Sequence, residues 1–346
     1  MNSSTSASKP SAWGRLLRQY VVSCALLAIV LGTLLVALDP YDTGRLALVR
    51  GSSVPHFEPR LTAASLARDP EKNAAIIGNS TVQLLDPARL SESTGLTFVS
   101  LAVPGTGPLE ELVIADWYLR RHRLEHGKAP EALVIDLDES WCRADGRLEI
   151  TNPFPFWLYS ESTLVYIGNL LRLKSFEAAA RKLKVMVGYD PPIRSDGYRD
   201  YDAGRQWDAA SVEARLAEKR VDPILPDTIQ FAAIPRLRKL MDAVPGNAAV
   251  VLVFVPRYYT ALPSPGSNGD RLLRLCKDAY RRIAAERPRT AVLDWLVDSA
   301  LVRDEQSFWD QVHFRQPVAR IMERGIADVI RETRTAALPT LPTPQQ

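Results

Sequence analysis

The sequence predicts an α/β protein: a parallel sheet with helices on both faces, preceded by one transmembrane helix. Three observations carry that expectation. Short apolar runs alternate with helical patterns along most of the 346 residues. One run, "AVVLVFV", is apolar throughout, as a strand covered on both faces should be. A charge-free stretch, "YVVSCALLAIVLGTLLVAL", fills residues 20–38. It is long enough to span a hydrocarbon core of about 30 Å.

The apolar stretch sets the domain order. Lys9, Arg15 and Arg18 precede it, whereas Asp39 and Asp42 follow. The positive-inside bias makes residues 1–19 a cytoplasmic tail and residues 20–38 a single-pass anchor in the cytoplasmic membrane. The rest is then extracytoplasmic. A cleaved signal peptide is the competing reading, but cutting after Ala37 puts Leu35 at the −3 position, where a small residue belongs. Residues 39–70 form a membrane-proximal connection, and residues 71–334 the main domain. Residues 335–346, rich in Pro and Thr, form a disordered tail. Net charge is only +3, and the one tight basic cluster is Arg120, Arg121 and Arg123. Neither points to nucleic acid.

The expected strands are Ala74–Ile77, Thr97–Leu101, Ala132–Leu137, Ala249–Val255 and Ala291–Trp295. The expected helices are Thr81–Leu90, Leu109–Glu125, Gly269–Glu286 and Pro317–Arg334. Between the third and fourth strands lie residues 138–248, far more than an ordinary crossover needs. This insertion could roof the active edge of the sheet or serve only as packing.

The first strand runs into Gly78-Asn79-Ser80. Ser80-Thr81-Val82-Gln83 fits a capping box, in which Ser80 holds the first helical turn. A serine after a central strand also sits at the edge where open α/β sheets bind ligands. As a nucleophile it needs a base. Of the four histidines, His56 has no evident partner. His122 and His126 form "HRLEH", a zinc pattern, but it sits among arginines at a helix end. His313 lies in "FWDQVHF", three residues after Asp310 and just before the last helix. On a turn, that spacing brings the carboxylate to one ring nitrogen and leaves the other free to act as a base. Alternatively, the pair caps the helix. "PGTGPLEE" is a poor dinucleotide fingerprint, because Glu110 replaces the third glycine. No cofactor and no metal is expected.

Together these motifs resemble the SGNH hydrolases, also called GDSL esterases, over residues 71–334 without the insertion. Gly78-Asn79-Ser80 resembles the first family block, with Ser80 as nucleophile. "SLAVPGTGP" resembles the second, in which the backbone N–H groups of Gly105 and Ser80 would hold an oxyanion. "DQVH" resembles the last, making Asp310 and His313 the remaining triad members. The third block departs: "IDLDESW" lacks the asparagine that usually supplies another oxyanion donor. With its anchor, the chain is similar to envelope acyl-transfer proteins, the D-alanyl transfer proteins of teichoic acid modification and the alginate acetylation proteins. The resemblance implies a serine O-acyltransferase or esterase acting on an acylated envelope polysaccharide or related polymer. It also implies a multispanning membrane acyltransferase as partner. A non-catalytic polymer-binding or assembly factor of the same fold is the alternative.

The loops after the third and fourth strands offer Trp141, Arg257 and Tyr258 either as substrate contacts, through ring stacking and anion binding, or simply as solvated loop residues. Cys142 and Cys276 would face an oxidising compartment, where a disulfide can form. Cys276 could equally be a small buried hydrophobe on its helix.

Overall fold

A computed structural model describes residues 12–45, 58–146, 148, 153–190, 193–218 and 220–335. His56, residues 1–11 and the tail from residue 336 lie outside the described residues. The strands β1 (Ala74–Ile77), β2 (Phe98–Ser100), β3 (Ala132–Asp136), β4 (Ala249–Phe254) and β5 (Thr290–Asp294) are all parallel. Each starts and ends within one residue of expectation. They lie in the order β2-β1-β3-β4-β5. The helices are α1 (Ala12–Leu38), α2 (Pro59–Leu66), α3 (Pro87–Thr94), α4 (Pro108–His126), α5 (Thr163–Leu170), α6 (Leu173–Met186), α7 (Ala209–Leu216), α8 (Ala233–Ala243), α9 (Asn268–Ala285), α10 (Ala300–Arg303) and α11 (Gln316–Thr335).

Successive strand residues point to opposite faces, and here both faces are buried. Ala75, Ile77, Leu133, Ile135 and Leu252 face the layer containing α4, α8 and α9. Ala74, Ile76, Val134, Val251 and Val253 face the layer containing α11. That double burial is why the strands read as unbroken apolar runs. From β1 the chain steps outward to β2 in one direction, and from β3 it steps to β4 and β5 in the other. The reversal opens a crevice between the C-terminal ends of β1 and β3, where sheets of this order bind ligands.

The helix expected at Thr81–Leu90 is a correction. The chain makes one 3-10 turn at Ser80–Val82 and starts α3 only at Pro87. Proline disfavours helical backbone in the residue before it, so Asp86 is extended. Its carboxylate then accepts from the Ala88 N–H at 3.0 Å and caps α3.

Helix α1 is long and apolar enough to cross a membrane. At 1.5 Å per residue, its 27 residues reach about 40 Å. Its far end is tied to the insertion through a polar knot. Buried Asp39 accepts from Thr43 Oγ1 at 3.1 Å, from the Gly44 N–H at 2.6 Å and from the Tyr166 hydroxyl on α5. Buried Lys182 on α6 donates to the Asp39 carbonyl at 3.0 Å and to Asp42 at 3.2 Å. Each buried polar group here has a partner, as burial requires.

Candidate active site

Ser80 leaves the sheet directly after β1, on a turn that only glycine permits at its base. A Cβ on Gly78 would sit 2.5 Å from Asp136 Cβ and 2.6 Å from Val82 Cγ2. The turn therefore packs tightly over the end of β3. Asn79, not Ser80, is the cap: its side chain accepts from the Thr81 N–H at 3.0 Å. The capping-box reading of Ser80 is thereby corrected, and the Ser80 hydroxyl is left for another partner. A three-residue turn also supplies little of the helix-dipole field that a longer helix would.

That partner is His313. Ser80 Oγ lies 2.8 Å from His313 Nε2 across 233 residues of chain. His313 Nδ1 lies 2.8 Å from Asp310 Oδ2 and 3.0 Å from Oδ1. Asp310 Oδ1 also accepts the Val312 and His313 backbone N–H groups, each at 2.8 Å. Burial pushes the Asp310 carboxyl up, but the His313 bond, the His313 charge and those N–H groups together hold it below its ordinary value. It stays an anion facing Nδ1–H, so Nε2 is left to accept the serine proton.

A small hairpin turn fixes this geometry. Phe308 and Phe314 bridge as antiparallel partners, both fully buried, and the Trp309 N–H donates to the His313 carbonyl at 2.8 Å. The insertion clamps the turn from outside. The Tyr201 ring meets His313 edge-on, 5.9 Å between centroids, and its hydroxyl donates to the Phe314 carbonyl at 2.8 Å. Burial, and next the Asp310 charge, push Tyr201 up, so it keeps its proton and remains a donor. Asp202 accepts from Trp309 Nε1 at 2.6 Å and from the Gln316 N–H at 3.0 Å. Sequence reasoning missed Tyr201 and Asp202. The aromatic-rich piece "DGYRDYD" was the only signal. Part of the insertion thus meets the site, while α5 and α6 pack elsewhere, on α1.

Gly105 lies on the turn after β2, at the same sheet edge, with φ of +68°. The Val103 N–H donates to the Gly78 carbonyl at 2.9 Å and joins this loop to the Ser80 turn. Where the third block lacks asparagine, Asp138 stands. It accepts from Asn79 Nδ2 at 2.7 Å, across the β1–β3 crevice. The Asn79 amide is therefore engaged with Asp138.

Beneath this turn lies a nest of buried carboxyls. Asp136, fully buried, accepts from Thr81 Oγ1 and is pushed up to about 8 by burial and by the Asp138 charge. Glu111 is likewise raised, first by burial and then by Asp138 and Asp136.

The three proposed substrate contacts fare differently. Trp141 is only 1% exposed, packs edge-on against Tyr280 and donates Nε1–H to Glu111 at 3.0 Å. A sugar ring has no open face to stack on there, which corrects that expectation. Arg257 is buried and pairs with Glu139 at 2.6 Å. Tyr258 packs its ring on Phe308 and Tyr259, so it too lacks a free face. Arg257 and Tyr258 nevertheless line a cavity of about 860 Å³, with Asp138, Glu139 and the more exposed Tyr259. Neither Ser80 nor His313 lines it, but one of its walls is tied to their neighbourhood: the Tyr258 N–H donates to the Gln311 carbonyl, inside the Asp310–His313 turn. Cys142 and Cys276 are joined in a disulfide, which ties the loop after β3 to α9. His122 is buried on α4 against the Tyr118 ring, 4.4 Å between centroids.

No protein-family model matches the chain, and no curated protein matches it. Among solved structures, it is similar to a carbohydrate esterase family 2 enzyme with a carbohydrate-binding domain from Corynascus thermopiles (Myceliophthora fergusii). Identity is 11% and the TM-score 0.39, over 76% of this chain and 67% of that one. A likeness of that size establishes neither family nor activity.

Two outcomes follow from the packing under Ser80. Gly78→Ala is expected to displace the turn and abolish covalent labelling of Ser80 by a serine-directed phosphonate, read by mass spectrometry. Asp136 holds its proton in the folded state up to about pH 8, whereas the unfolded chain releases it near 3.8. The folded state thus binds more protons in that window, and stability falls as pH rises through it. Asp136→Asn removes this contribution, so its melting temperature should depend less on pH between about 4 and 8 than that of the parent.

Proposed function

We propose that the protein is a membrane-anchored, SGNH-type serine acyl-enzyme acting on an acylated envelope polysaccharide or related polymer. One observation carries the reading: the unbroken hydrogen-bond chain from Ser80 Oγ through His313 to Asp310. A cap or a packing contact would not require all three groups in that order.

Ser80 Oγ attacks the acyl carbonyl while His313 Nε2 takes the hydroxyl proton. The Ser80 and Gly105 N–H groups stabilise the oxyanion, and Asp310 stabilises the imidazolium. The carbonyl re-forms, the leaving alkoxide takes the proton from His313, and the acyl group remains on Ser80. An acceptor hydroxyl then gives its proton to His313 and attacks the acyl-serine; as the second intermediate collapses, Ser80 Oγ leaves and takes that proton back from His313. Water as acceptor makes the protein an esterase, and a sugar hydroxyl makes it an O-acyltransferase. The cavity lined by Arg257, Glu139 and Tyr259 is large enough for a sugar acceptor beside the triad. The missing asparagine, the anchor and the acceptor-sized cavity favour transfer. In the family resemblance, a multispanning membrane acyltransferase supplies the acyl group. The disulfide fits an extracytoplasmic domain, where thiols are oxidised.

The full chain in detergent is expected to be labelled at Ser80 by a fluorophosphonate, and His313→Ala should lose that labelling. Absence of labelling in the parent, with polymer binding retained by Ser80→Ala, would favour the binding-factor alternative. With a chromogenic acetyl ester, added glycan should raise product release and become acylated. Release that ignores glycan, with no acylated glycan, counts against transfer.

A further inference from the structure

The insertion carries a second surface, on α5 and α6 and not on the piece that meets the Asp310–His313 turn. Helices α5 and α6 pack on the last turns of α1. A methyl of Leu171, at the elbow between α5 and α6, lies 3.7 Å from where a side chain on Gly32 would begin. Gly32 is six residues before the end of α1 at Leu38, about 9 Å along the helix axis. The charge-free part of α1 starts only after Arg18, and a span needs about 20 residues. Residues 20–38 are therefore all needed to cross, and the elbow reaches a level inside that span.

The elbow is dressed for that position. Leu164 is 80% exposed, Leu171 65% and Leu173 77%. Val165 beside them is also exposed. Such a cluster of large apolar groups in water marks an interaction surface. Exposed Arg172, just before α6, and Lys174 and Lys184 on it accompany the cluster, as in helices that lie along anionic lipid surfaces. Helix α6 is also fixed across the exit of α1. Ser175 in its first turn bonds the Tyr41 hydroxyl at 3.2 Å, and Lys182, two turns later, holds Asp39 and Asp42.

We propose that the α5–α6 elbow is a membrane-seating surface, which buries Leu164, Leu171 and Leu173 in the outer leaflet beside α1. The occupant is lipid, because the surface is continuous with the part of α1 beyond Arg18 and Gln19, whose large exposed side chains, from Tyr20 to Leu34, are apolar. This rests on reading α1 as a membrane anchor. Seating at two points, joined by the Asp39–Lys182–Tyr166 knot, fixes the tilt of the domain. The triad edge is then held at a set height over the bilayer instead of swinging on a tether.

Nitroxide labels in vesicles of phosphatidylcholine and phosphatidylglycerol test this with the full chain. Cys24, in the middle of α1, is a free and exposed thiol and reports on the anchor itself. In a Cys24→Ser background, Leu171→Cys and Leu164→Cys report on the elbow. Ile321→Cys, on α11 in the opposite layer, is the aqueous control. Labels at 24, 171 and 164 should be broadened by oxygen and lose broadening by a water-soluble nickel chelate, whereas the label at 321 should do the reverse. A label at 171 that behaves like 321, while 24 stays in lipid, overturns the seating surface and spares the anchor. A label at 24 that behaves like 321 overturns the anchor and the surface with it. A label at 171 shielded from both reagents means that a second copy covers the elbow, which also overturns lipid as the occupant.

Discussion

A parallel strand delivers the loop that follows it to the same edge as every other strand. The candidate site depends on this constraint. Ser80 follows β1, Gly105 follows β2, Asp138 follows β3 and Tyr258 follows β4, so residues spread over 178 positions share one rim. The reversal of strand order between β1 and β3 opens the rim at the place where Asn79 and Asp138 bond across it. His313 joins from beyond β5 because α11 must cover the far face of β4 and β5, and the turn before that helix falls back over the same edge.

The shell under the Ser80 turn holds two buried carboxyl groups. Asp136 and Glu111 lie without exposure beneath the Ser80 turn, where the proposed reaction develops an oxyanion, and both are held toward the neutral form. A neutral carboxyl there does not oppose the negative charge that develops at Ser80, whereas an ionised one would. Gly78 lets the turn approach Asp136 closely enough for Thr81 to bond it. Outside the turn, Tyr201 and Asp202 hold the Asp310–His313 hairpin, so the insertion reaches the chemistry without supplying a triad member.

Much of this was legible in the sequence, for physical reasons. Strands buried on both faces, as β1–β4 are, leave short apolar runs, and the half-buried β5 keeps one in Ala291–Leu293, so all five were placed within one residue. The Ser80–His313–Asp310 hydrogen-bond chain was legible because a serine after the first strand and an Asp-x-x-His before the last helix occupy positions that the topology must bring to one edge. The misreadings were local or tertiary. Asp86-Pro87 is a helix start, and reading through it produced a helix in place of a single turn. Ser80 resembled a cap because its neighbour Asn79, which does the capping, is equally suited to it. Trp141 follows a strand at the open edge, but the disulfide at Cys142 and the carboxylate of Glu111 draw it inward. Tyr201 meets His313 across more than a hundred residues of chain, a proximity that no local pattern encodes.

The central claim is that Ser80, His313 and Asp310 act as one proton relay. It is tested most directly by trapping the covalent intermediate. The full chain is mixed with an activated acetyl ester, quenched in acid within the first turnover and digested for peptide mass mapping. The account predicts one acetyl group on the peptide containing Ser80, formed slowly or not at all in Asp310→Asn and absent in His313→Ala. Acetyl transfer to the acceptor with no acyl group ever on Ser80, or equal acylation of Ser80 in all three proteins, would contradict it.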